Sequence, residues 1–133
     1  MSFDPQPLLA GLKPFQRATV DYAMSRFDAG VSRFLVADEV GLGKTRVAQG
    51  VVAHVLSRLA PEERADIVYV CSNGAIARQN LRLLNILQET EVRATRLSLL
   101  CDGSTKLRTD GANFIALTPG TSFRQGRGPG ARS

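Results

Sequence analysis

The stretch Arg33-Phe34-Leu35-Val36-Ala37-Asp38-Glu39-Val40-Gly41-Leu42-Gly43-Lys44-Thr45 decides how the rest of the chain is read. Its first five residues are a short apolar run, the pattern of a buried strand. Between Thr45 and Leu59, the residues Val47, Val51, Val55 and Leu59 recur at helical spacing. Between strand and helix, Gly41 and Gly43 let the backbone turn so that successive N–H groups point inward. The helix adds the positive end of its dipole at the same place. A loop built this way surrounds phosphate oxygens. Lys44 has the reach and charge for the β- and γ-phosphates of a nucleoside triphosphate, and Thr45 offers a hydroxyl to Mg²⁺. Val40, Gly41, Leu42, Gly43, Lys44 and Thr45 are therefore the candidate nucleotide-binding residues. Lys44 and Thr45 are the catalytic candidates, and Thr45 is the contact to metal. The usual phosphate-loop pattern is G-x-x-x-x-G-K-[ST], and Asp38 stands where its first glycine belongs. Asp38 and Glu39 lie inside the loop, so a surface or loop-bracing role suits them better than metal binding.

Outward from this loop, strands alternate with helices. Upstream, Met1 to Lys13 is rich in proline and lacks periodicity, so it reads as a leader segment. Pro14 suits a first helical turn, and the helix it opens is expected over Phe15 to Phe27, ended by Asp28-Ala29-Gly30. Downstream, Pro61 stops the helix after the loop, and Ile67 to Cys71 reads as a second buried strand. A helix is expected from Ala75 to Gln88, with Ile76, Leu81, Leu84 and Leu87 inward. Leu97 to Leu100 is a third strand candidate, Asp102 to Asp110 a polar loop, and Phe114 to Leu117 a fourth strand. Such alternation implies an α/β fold with a parallel sheet covered by helices on both faces. The Gly/Arg-rich stretch 124–133 cannot build a core and reads as a flexible tail.

The chain has 133 residues, enough for one modest core and too few for two full domains. No apolar run approaches the roughly 20 residues of a membrane helix, and the first ten residues lack the basic and apolar regions of a secretory signal. Cys71 and Cys101 are far apart, and with His54 as the single histidine they form no ligand set for zinc. Reduced cysteines in a cytoplasmic or nucleoid-associated protein are the expectation. His54 is expected to be structural. The net charge of +5 is concentrated in the second half: eight basic and eight acidic residues precede Ile67, and nine basic and four acidic follow. A basic half suits a phosphate-backbone partner, and it is equally common in solvated surfaces.

The segment A-D-E-V-G-L-G-K-T resembles motif I of the Swi/Snf-type ATPases within helicase superfamily 2, where A-D-E-M-G-L-G-K-T is the familiar form. Three further stretches resemble that group in the right order. Leu12-Lys13-Pro14-Phe15-Gln16 is similar to the upstream L-[RK]-P-[YF]-Q motif, whose glutamine contacts adenine. Val68-Tyr69-Val70-Cys71-Ser72-Asn73 falls where motif Ia begins. Leu117-Thr118-Pro119-Gly120-Thr121-Ser122-Phe123 resembles a T-P-x-T-S-F segment after a later strand. The resemblance spans Leu12 to Phe123 and implies a P-loop NTPase (RecA-like) lobe at 14–123. It also implies ATP and Mg²⁺ as ligands, Gln16 at the adenine, and DNA as partner. Asn73, Arg78, Thr118, Thr121 and Ser122 could contact a nucleic-acid backbone through amide, guanidinium or hydroxyl donors. Turn chemistry and solvation account for the same residues equally well.

One departure bears on activity. The family hydrolyses ATP with an acidic motif II, and no D-E-x-H segment follows Phe123. The resemblance therefore implies an incomplete lobe that binds ATP and hydrolyses it poorly, with a second lobe to be supplied from elsewhere in a larger motor. Two other readings stay open: a small nucleotide- or nucleic-acid-binding protein without motor activity, and a small kinase or other P-loop transferase. The last would need a lid and a substrate-binding acid downstream.

Overall fold

The computed structural model describes residues 3–39, 41–96, 98–101, 103 and 105–119. Among these residues five helices and three strands follow in the order α1 (Gln6–Ala10), α2 (Pro14–Asp28), α3 (Lys44–Ser57), β1 (Arg64–Val70), α4 (Gly74–Leu84), β2 (Glu91–Ala94), α5 (Ser98–Cys101) and β3 (Gly111–Leu117). The sheet order is β1-β3-β2. Both pairings are parallel, with Arg64 opposite Gly111, Val70 opposite Leu117, and Glu91 opposite Phe114. The expected α/β architecture with an all-parallel sheet is present.

A central strand of a parallel sheet is buried on both faces and reads as a continuous apolar run. β3 does so, with Ala112 through Leu117 all buried. Ala112, Phe114 and Ala116 meet Val52 and Leu56 of α3 and Ala77, Leu81 and Leu84 of α4 in the larger core cluster. β1, at the sheet edge, alternates instead: Ile67 and Tyr69 pack against that cluster while Val68 and Val70 are exposed. A second cluster joins Leu9, Leu12, Val20, Met24 and Val47. The segment read as a leader thus contributes a short helix and two core leucines, because burying Leu9 and Leu12 outweighs its lack of periodicity.

Several expectations change. Residues 31–39 form no strand, although Phe34 and Val36 turn inward and Leu35 is 85% exposed. The segment keeps the alternation of a strand but has no neighbouring strand among the described residues, so it lies on α2. There Phe34 meets Tyr22 and Phe27 edge-on at ring-centroid distances of 5.6 and 6.4 Å. The strand in this region is β2, Glu91–Ala94, and of the strand expected over Leu97 to Leu100, residues 98–100 lie instead in the helical turn α5. α4 ends at Leu84, because the Asn85 side chain bonds the main chain of Glu89 in both directions and turns the chain there. On α3 the buried face is Val47, Gly50, Val52, Ala53 and Leu56, while Val55 faces outward. This helix is sandwiched between α2 and the sheet, so its buried surface is wider than one stripe.

Candidate functional site

Gly41 and Gly43 both take left-handed backbone conformations, with φ of +90° and +82°. Gly43 is the N-cap of α3, so Lys44 and Thr45 open the helix, and the amides of its first turn point out of its N-terminus. Val40 lies outside the described residues. The Lys44 side chain folds back over the loop and donates from Nζ to the carbonyls of Asp38 and Glu39, the latter at 3.0 Å. Main-chain oxygens of these two residues therefore hold the ammonium.

Gln16 arrives at the same loop from α2. It is buried, its Oε1 accepts from the Lys13 N–H at 3.0 Å, and its Nε2 donates to the Leu42 carbonyl at 3.0 Å. The first bond caps α2 and the second ties that cap to the loop 26 residues further on. A Cβ on Gly43 would lie 2.6 Å from this Nε2. Gly43 thus lacks a side chain for two reasons, its backbone angle and the approach of Gln16. The family resemblance marks Gln16 as a candidate site residue but does not reveal that it touches the loop itself.

The connection from Ser57 to Arg64 returns the chain from the end of α3 to the start of β1. At about 1.5 Å per helical residue and 3.3 Å per strand residue, helix and strand are similar in length. Because the three strands are parallel, their C-terminal ends form one edge of the sheet. At that end Cys71 N–H donates to the Leu117 carbonyl at 3.1 Å and Thr118 N–H to Ala94 at 3.0 Å, which brings Asn73 and Thr118 to one edge. Asn73 caps α4, its Oδ1 accepting from Ala75 and Ile76 at 2.9 and 3.1 Å. Its oxygen is committed to the helix, and Nδ2 is the group left to meet a ligand. Arg78 is exposed on α4, and Thr118 is half-buried. Thr121 and Ser122 lie outside the described residues.

Two other features adjoin the loop. An apolar cavity of about 390 Å³ beside it is lined by Phe34, Val36, Val47, Val51 and Leu84, with Lys44 at one side. Arg46 on the first turn of α3 bonds Gln49 Oε1 at 2.8 Å and the Gly11 carbonyl at 3.3 Å, so α1 braces the same helix end. Nothing in the sequence pattern marked Arg46, since its partners lie in the supposed leader. Among the described residues no group of three or more His, Cys, Asp or Glu is placed to hold a metal. No helix there is long and apolar enough to cross a membrane. No family model, no curated protein and no solved structure matches the chain.

Proposed function

We propose that this chain is the ATP-binding part of an ATP-dependent DNA helicase or translocase of the Swi/Snf-like group. The observation that carries the reading is the loop itself. Two glycines with positive φ lead into a helix opened by Lys44 and Thr45, with Gln16 hydrogen-bonded to the turn. Such an arrangement fits a triphosphate: backbone amides and helix dipole meet the phosphate oxygens, and Lys44 exchanges its loop carbonyls for them. Thr45 would hold Mg²⁺, which when bound neutralises charge between the phosphates. Hydrolysis further needs an oriented water and charge stabilisation across the γ-phosphate, which Lys44 and Thr45 alone do not supply. The isolated chain therefore binds ATP and turns it over slowly, a motor requiring a second lobe. A nucleic-acid backbone passing the C-terminal end of the sheet would meet Asn73 Nδ2 and Thr118 there and the exposed Arg78 on α4, and the surplus positive charge of the second half would assist it.

Titration with a fluorescent ATP analogue in Mg²⁺ tests this. Lys44→Ala should weaken binding by about tenfold or more, the worth of a charge-assisted hydrogen bond to phosphate. Unchanged affinity would remove the reading. Competition by GTP separates the two roles of Gln16. If it reads adenine, Gln16→Ala erases the preference for ATP. If it only braces the loop, both nucleotides weaken together.

A further inference from the structure

A second and larger cleft, of about 470 Å³, opens away from the phosphate loop. It lies at the N-terminal ends of the strands, where α3 finishes and β3 begins. Its volume is in the range of small-molecule pockets, roughly 300 to 1,000 Å³. Phe3, Leu56, Leu59 and Leu87 give it an apolar wall. Its polar lining is acidic: Asp4, Glu89 and Asp110 stand there with Arg108. The one guanidinium is committed, since Arg108 Nη1 lies 2.9 Å from Glu89 Oε1. Asp4 accepts the Gln6 N–H at 3.0 Å through one oxygen, and neither Asp4 nor Asp110 has an ion-pair partner among the described residues. In a chain of net charge +5 this cleft is a local reversal of sign. The described carboxylates do not gather as a metal-ligand set, and a bare ion would gain nothing from the hydrocarbon wall.

We infer that the cleft binds a small organic cation, an ammonium or guanidinium carried on an alkyl or aryl body. The body lies against Phe3, Leu56, Leu59 and Leu87, and the charge is turned toward Asp4 and Asp110. Burying the hydrocarbon supplies most of the affinity, and the carboxylates select the sign of the ligand. The inference is independent of nucleotide binding.

Amide chemical shifts of the full chain, followed by NMR during titration, test it with three matched probes: 4-phenylbutylamine, 4-phenylbutanol and 4-phenylbutyrate. Saturable shifts are expected at residues 56–60 and 108–112, strongest for the amine and weakest for the carboxylate. Asp110→Asn, a change at an exposed position, should weaken the amine about threefold, as for a partly exposed ion pair, and leave the alcohol unchanged. Equal affinity for all three probes would overturn the proposal, as would amine shifts confined to the phosphate loop. So would amine affinity unchanged in the Asp4→Asn/Asp110→Asn double variant.

Discussion

Gly43 is the residue on which the loop turns. A left-handed backbone costs an ordinary residue about 1–2 kcal/mol, and the Gln16 amide fills the space where its side chain would start. Gly43→Ala should therefore lower unfolding stability by about 2 kcal/mol in urea titrations. In a Gln16→Ala background the same change should cost closer to 1 kcal/mol, because only the backbone penalty remains. A double-mutant cycle reads the difference directly, and strict additivity would mean that the two residues do not meet. At this scale the geometry of the candidate loop was largely legible in the sequence. Gly41, Gly43, Lys44 and Thr45 act through local backbone geometry, which residue type dictates. Gln16 was legible as a site residue but not as a loop ligand, because its contact to Leu42 spans 26 residues and belongs to tertiary packing. Asn73 shows the reverse. Asparagine ahead of Gly74 is ordinary capping chemistry, and capping is what its oxygen does.

Elements were legible where the signal is local and obscure where it needs a partner. α2 starts at a proline and ends before Ala29-Gly30, as its punctuation says. β3 is apolar on both faces and lies at the centre of the sheet, also as its composition says. Residues 33–37 carry the same apolar signal, yet a strand exists only through hydrogen bonds to a neighbour, and propensity cannot name one. The short β2 escaped notice for a related reason: Glu91-Val92-Arg93-Ala94 looks like surface, and its pairing with Phe114 to Leu117 makes it a strand. Leu35 distinguishes the two descriptions of the 33–37 segment. At 85% exposed, it should accept Leu35→Lys with a change of no more than about 0.5 kcal/mol. Phe114→Ala, at a fully buried position, should cost about 3–5 kcal/mol. A loss of several kcal/mol at Leu35, measured by chemical denaturation, would mean that this segment is buried as a strand after all.

Across the whole molecule, α3 joins the two core clusters, giving Val47 to one and Val52 and Leu56 to the other. Gly50 allows this, since a Cβ there would meet Val20 Cγ2 at 2.6 Å and Leu12 Cδ1 at 3.1 Å. The helix that begins at the glycine loop is thus packed by both halves of the fold. The sheet is tied at its far end by a polar chain. Arg64 bonds Asp66 through two nitrogens at 2.8 Å, Asn113 Nδ2 donates to Asp66 at 2.8 Å, and Asn113 Oδ1 accepts the Arg108 N–H at 2.8 Å. Hydrogen bonding from Arg64, reinforced by Asn113, holds the Asp66 carboxyl below its ordinary range despite partial desolvation. The sign of the pH effect follows from that depression. As pH falls through the carboxylate range, the unfolded chain takes up the proton first, so the native state loses the contribution of this ion pair. The contribution is fully present at neutral pH and gone once pH passes below the native value. Asp66→Asn should therefore be less stable than wild type at pH 7. The two should converge as the solution is acidified, because protonation removes from wild type what the substitution has already removed. Urea midpoints measured across that acid limb decide it: a gap that stays constant with pH would show that Asp66 contributes through shape and neutral hydrogen bonding alone.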